Sequence, residues 1–79
     1  MIRLGDEKRQ NVIITAARRI ARESDFAAVT HGAVAKRCVV QTSVATVRHY
    51  FGTKDDLWRA VIDAEPDLIE RAREAGWVE

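Results

Sequence analysis

The stretch Ser43-Val44-Ala45-Thr46-Val47-Arg48-His49-Tyr50-Phe51-Gly52-Thr53-Lys54-Asp55-Asp56-Leu57 decides how the chain is read. Val47 and Phe51 stand four residues apart, the spacing at which two apolar side chains share one helix face. Around them crowd Thr46, Arg48, His49 and Tyr50, all hydrogen-bonding groups. A short helix over about 44–51 is expected, anchored inward at Val47 and Phe51. Gly52 is a natural stop. Thr53-Lys54-Asp55-Asp56 then starts another helix, with a threonine cap and acids in the first turn, where the helix dipole favours them.

Upstream, Val39-Val40-Gln41-Thr42 combines two β-branched valines with polar residues of poor helix propensity, so it is expected to be a turn, with Thr42 or Ser43 capping the helix that follows. Before it, Thr30 is the expected N-cap of a helix running to about Cys38, with Ala33, Val34 and Arg37 on one face; Gly32 weakens it slightly. Earlier still, Asp6 is expected to cap a helix over 6–23. Val12, Ile13, Ala16, Ala17 and Ile20 recur there at helical spacing, opposite Arg18, Arg19 and Arg22. Asp25 takes the place where a helix usually stops on a left-handed glycine, and Phe26 and Val29 join the apolar stripe.

Downstream, Leu57, Trp58, Val61 and Ile62 form the stripe of the fourth helix, which Pro66 interrupts because proline lacks a donor and clashes one turn back. Glu65-Pro66-Asp67 begins a new start, and Leu68, Ile69 and Ala72 carry a fifth helix to Gly76. Trp77 and Val78 follow with no obvious partner in the sequence. There is no repeat, low-complexity tract or flexible linker, and all connections are short.

The chain has 79 residues, enough for one domain, and a domain of this size buries only about 60% of its unfolded surface. Its 47% hydrophobic and 32% charged residues are those of an ordinary soluble globular chain. No apolar run approaches the roughly 18 residues of a membrane helix, and the opening residues carry no signal-peptide pattern, so no membrane is expected and the cytoplasm is the expected compartment. The lone Cys38 allows no internal disulfide and is too little for a structural metal site. His31 and His49 have no Ser, Cys or carboxylate at a spacing that implies a nucleophile or metal site, so neither catalysis nor a cofactor is expected.

The net charge of +1 conceals an asymmetry. Residues 1–50 hold nine Lys or Arg against four Asp or Glu, whereas residues 51–79 hold four against eight. A basic front half suits a polyanion, although basic residues on a helix are often only its solvated face. Three helices, a tight turn between the second and third, and polar groups concentrated on the third are the parts of a helix-turn-helix. Such a third helix fits the B-DNA major groove, where base edges display distinguishable donors and acceptors.

The stretch from Ser43 to Leu57 resembles the TetR family of transcriptional regulators, in which a Thr-aliphatic-aromatic-x-Tyr-Phe run is followed by Ser/Thr-Lys-Glu/Asp-x-Leu. Ile13 with paired alanines, Phe26, Val29-Thr30 and Val34-Ala35 are similar to that family's first two helices, so the resemblance covers roughly residues 9–61. It departs in two places. Two extra residues lie between Val34-Ala35 and Ser43, with Val39-Val40-Gln41 replacing the usual turn glycine. Arg48 stands where a phosphate-touching tyrosine is common; arginine serves phosphate equally well and can read guanine.

The resemblance implies an all-α fold: a three-helix, homeodomain-like helix-turn-helix domain over 1–52, then one or two further helices over 53–79 that open a C-terminal regulatory and dimerisation region absent here. It implies sequence-specific binding of double-stranded DNA by a regulator, expected to be a repressor, with Thr30, Thr42, Ser43, Val44, Thr46, Arg48, His49, Tyr50 and Lys54 as the DNA-binding residues. Ser43, Val44, Thr46 and Arg48 are expected to face the groove, and Thr30, Tyr50 and Lys54 the phosphates. The N-terminal amides of the fourth helix are expected to share a phosphate with Lys54. Arg3, Lys8 and Arg9 would add backbone contacts as a loosely ordered arm. The intact regulator would be a homodimer on a palindrome, with its small-molecule effector bound outside these residues, and the chain is expected to be a fragment of it. His49 can equally be a solvated histidine, Tyr50 can simply pack beside Phe51, and Thr30 can serve as a cap alone. Trp58 and Trp77 are expected in a core or interface, and Cys38 as a small buried hydrophobe. The rival reading is a helical protein-interaction module that offers Trp58, Leu68, Ile69 and Trp77 from the 54–78 helices to another chain.

Overall fold

The computed structural model describes residues 5–78. These form α1 (Asp6–Glu23), α2 (His31–Arg37), α3 (Val44–Tyr50), α4 (Lys54–Ala64) and α5 (Ile69–Glu74), with single 3₁₀ turns at Phe26–Ala28 and Pro66–Leu68. The fold is all-α, as the sequence pattern predicts.

Local chemistry sets most boundaries. Thr30 Oγ1 accepts from the Ala33 amide and Ser43 Oγ from the Thr46 amide, each at 3.1 Å, so α2 and α3 both start on a side-chain cap. Ser43, not Thr42, is the cap; the Thr42 hydroxyl donates to Val40 O and shapes the preceding turn. At α4, Thr53 and Asp56 form a reciprocal capping box, with both bonds near 3 Å. Asp6 is not the cap of α1. It is the first helical residue after Gly5, and its carboxylate is turned to Tyr50 instead.

The end of α1 differs from the expected left-handed stop. Ser24 and Asp25 both have negative φ, and Asp25 caps the following 3₁₀ turn by accepting from the Ala28 amide. The exposed carbonyls of the last turn are satisfied from elsewhere in the chain: Arg71 Nη1 donates to Ala21 O at 3.2 Å and to Arg22 O at 3.1 Å. With those acceptors filled, α1 has no need of a glycine-like turn.

α1 is the spine of the core. Its Ile13, Ala16, Ala17, Ile20 and Ala21 are buried against Phe26, Val29, Val34, Val47 and the α4 stripe of Leu57, Trp58, Val61 and Ile62. Phe26 meets Trp58 edge-on, with centroids 5.2 Å apart, and the buried indole N–H of Trp58 donates to Val29 O at 2.9 Å. That bond fixes α4 to the residue just before the α2 cap. Phe51 is only half-buried, which leaves Val47 as the one fully buried residue of α3. Cys38 is likewise half-buried, its thiol donating to Val34 O at the end of α2.

Trp77 does find a place. Gly76 has φ +100°, the Gly76 amide donates to Arg73 O, and the Trp77 amide donates to Ala72 O at 2.9 Å. This is a Schellman turn, which folds Trp77 back so that it is buried with Ala72. The Arg59 guanidinium covers its ring at 5.7 Å, while its indole N–H has no acceptor among the described residues. Trp58, Leu68 and Trp77 are therefore spent on this chain's own core, and of the residues a protein-interaction face was expected to offer, only Ile69 remains half-exposed.

Glu65 closes the junction after α4. Its carboxylate accepts from Arg18 at 2.6 and 3.1 Å and from both Nε and Nη2 of Arg22, tying the Pro66 turn to α1. Hydrogen bonds from Arg22 and then Arg18 hold its carboxyl below the usual range, against a smaller opposing effect of desolvation.

Candidate nucleic-acid interface

α3 stands on Val47, and everything it shows to solvent follows from that anchor. Val44, Ala45, Arg48 and His49 are exposed. They fall at i, i+1, i+4 and i+5, one continuous strip on the side away from Val47. Ala45 was not among the residues expected from the sequence; a small side chain between polar ones gives no signal of its own. His49 shares the strip with Arg48. Thr46 lies at its edge, half-buried, with its hydroxyl 3.0 Å from Ser43 Oγ, so this side chain is engaged with the cap.

The turn before α3 is longer than the three or four residues usual in a helix-turn-helix, spanning residues 38–43. Within it Val39, 80% exposed, lines a hollow with Asn11, Val12, Thr15 and Arg19 of α1.

Two polar clusters flank α3. At the first, Trp58 brings the start of α4 to the start of α2: its indole holds Val29 O, and Lys54, one turn earlier on α4, lies with Nζ 4.9 Å from its ring centroid. Thr30, next to Val29, is exposed and uses its Oγ1 only as an acceptor, which leaves its proton to give away. The capping box occupies the Thr53 and Asp56 amides at this end of α4, so the helix offers fewer free amides beside Lys54 than its sequence suggests. His31, which sequence reasoning passed over, fastens the cluster to α3: its Nε2 donates to Phe51 O at 2.6 Å. A histidine one residue after a cap carries no visible signal of a partner 20 residues away.

At the second cluster, the Tyr50 hydroxyl donates to Asp6 Oδ1 at 2.8 Å. That hydrogen bond raises the phenol pKa above its ordinary value; desolvation and the charge of Asp6 act the same way, and Arg9 opposes them. Arg9 and Lys8 belong to α1 and form no loose arm, while Arg3 lies outside the described residues.

The basic front half is partly neutralised within the fold. Arg18 and Arg22 are committed to Glu65, and Arg37 to Glu23. Among the described residues, Lys8, Arg9, Arg19, Lys36, Arg48 and Lys54 enter no ion pair. No cluster of His, Cys, Asp or Glu suited to a metal ion occurs among the described residues, and no described helix is long and apolar enough to cross a membrane.

An all-α domain whose capped third helix turns a strip bearing Arg48 and His49 outward has the build of a helix-turn-helix DNA-binding protein. Residues 13–61 match the family model described as bacterial regulatory proteins, tetR family, and the chain belongs to that family. Its members are DNA-binding regulatory proteins and not enzymes. Searches of curated proteins and of solved structures return no match to the chain.

Proposed function

We propose that this chain is the DNA-reading domain of a transcriptional repressor and lays α3 in the major groove of a double-stranded operator. The observation that carries this reading is the exposed strip of Val44, Ala45, Arg48 and His49, in which Arg48 has no ion-pair partner among the described residues. Arg48 supplies guanine-type or phosphate recognition, and Val44 supplies apolar contact with thymine methyl groups. Ser43, Thr46 and Thr42 act by setting the start of α3, with Ser43 and Thr46 at the groove edge. Thr30 and Lys54 hold a phosphate beside Trp58, and Tyr50 takes another.

The intact regulator is proposed to act in the cytoplasm as a homodimer, with two copies of α3 reading the halves of a palindrome. A small-molecule effector would act through a region outside these 79 residues. The test is duplex affinity against salt. Each phosphate neutralised contributes a log–log slope of about −0.9, so binding falls steeply as salt rises. Lys54→Ala lowers affinity for all sequences alike, whereas Arg48→Ala also relaxes base preference at one position by about 1–3 kcal/mol. Salt-insensitive binding, or equal losses on every sequence for both variants, refutes direct readout by α3.

A further inference from the structure

Tyr50 is the chain's single tyrosine. Its bond to Asp6 joins the end of α3 to the first turn of α1. Beside that bond opens a shallow groove lined by Arg9, Ala45, Thr46, His49 and Tyr50. The His49 ring meets the Tyr50 ring edge-on at 4.9 Å and braces it. Arg9, one turn along from Asp6, brings to this groove a guanidinium that enters no ion pair among the described residues.

A phenol has one proton to donate. While that proton is donated to Asp6, the hydroxyl offers only lone pairs, which a phosphodiester oxygen, itself an acceptor, has no use for. The Asp6 carboxylate also sets a negative charge where the phosphate would come. We propose that Arg9 and Tyr50 form a seat for one DNA backbone phosphodiester and that Asp6 occupies this seat in the free protein, so that binding exchanges one anionic acceptor for another on the same phenolic proton. This rests on the DNA-binding reading above.

The exchange requires little movement. Asp6 is exposed and short, so rotation of its side chain frees the hydroxyl while the braced ring stays where it is. Because one charge-assisted hydrogen bond replaces another, Tyr50 adds little net affinity in the natural chain, and the gain comes from Arg9. Asp6 thereby holds affinity down.

A double-mutant cycle tests this, with the 79-residue chain titrated into a random-sequence duplex pool at low salt. A random pool suffices because a phosphate contact does not depend on sequence. Tyr50→Phe alone is expected to change affinity by less than about threefold. Asp6→Ala strengthens binding, and does so about threefold or more further when Tyr50 is present than when it is Phe, a coupling within the range measured for contacting pairs. Arg9→Gln weakens binding and makes the salt slope shallower by about one phosphate. Circular dichroism checks that each variant folds. If Asp6→Ala helps equally in both backgrounds, Asp6 acts only as a bulk charge and the exchange is overturned while DNA binding stands. If the Arg9 variant keeps the natural salt slope, Arg9 is not in the seat and the proposal fails. If the natural chain does not bind duplex at all, this proposal falls together with the reading it rests on.

Discussion

Val47 and Arg48 are adjacent in sequence, but the fold buries one and exposes the other, so truncating each to alanine is expected to give opposite results. Val47 is fully buried and is the sole buried residue of α3. Val47→Ala removes two methyl groups from the core, worth about 1.6 kcal/mol at roughly 0.8 kcal/mol each. Incomplete collapse of the space left behind raises the loss to about 2–3 kcal/mol. A domain of this length has about 4–12 kcal/mol in total, so the variant loses a quarter or more of its stability in most of that range. With about 4–8 °C per kcal/mol for a small domain, the thermal midpoint falls on the order of 10–20 °C. Arg48 is exposed and enters no ion pair among the described residues, so Arg48→Ala shifts stability by no more than about 0.5 kcal/mol. Its loss appears in DNA affinity instead. The assay is thermal unfolding followed by circular dichroism, run in parallel with duplex titration. Two results refute the reasoning: a Val47→Ala midpoint within a few degrees of the natural chain, or an Arg48→Ala midpoint that drops as far as that of Val47→Ala.

Two further outcomes follow from the packing of the C-terminal third. The Glu65 carboxyl is held low by Arg22 and Arg18, so its contribution is fully present above the unfolded carboxylate value of about 4.3 and is lost as pH falls through the lower folded value. Glu65→Gln should therefore lower the thermal midpoint at neutral pH, and the gap between the two proteins should narrow as pH falls below the unfolded carboxylate value and close below the lower folded one; a gap that persists unchanged into acid contradicts the clamp. At Gly76, φ is +100° and the space a Cβ would enter is open, so the cost of a side chain there is purely conformational. Gly76→Ala should cost about 1–2 kcal/mol by chemical denaturation, and Gly76→Asn less, because asparagine tolerates left-handed backbone better; equal stability of all three would mean that the turn does not hold Trp77.

Much of this protein is local in origin and so could be read from the sequence. Thr30, Ser43 and Thr53 each lie just before a helix and cap it with their own hydroxyl, a bond that spans three residues and needs no partner from elsewhere. The apolar spacing of Ile13, Ala16, Ala17 and Ile20, and of Leu57, Trp58, Val61 and Ile62, fixes which faces turn inward because helix geometry alone decides it. The motif from Ser43 to Leu57 carries the family for the same reason: its capping residues, anchor and restart all lie within one short run.

What the sequence could not determine depends on contacts between residues far apart along the chain. Asp6 reads as a cap, yet its carboxylate goes to Tyr50, 44 residues away. Asp25 reads as a left-handed stop, yet Arg71 fills the carbonyls that would have required one. Arg18 and Arg22 read as part of a basic face, yet Glu65 takes both. A hydrogen-bonding or charged side chain can be satisfied by any complementary group that packing brings within about 3 Å, and its own neighbours in sequence say nothing about which. Helix positions and their inward faces were thus settled by the chain's local chemistry, whereas which of its charged groups hold the fold and which stay unpaired was settled only when the helices packed.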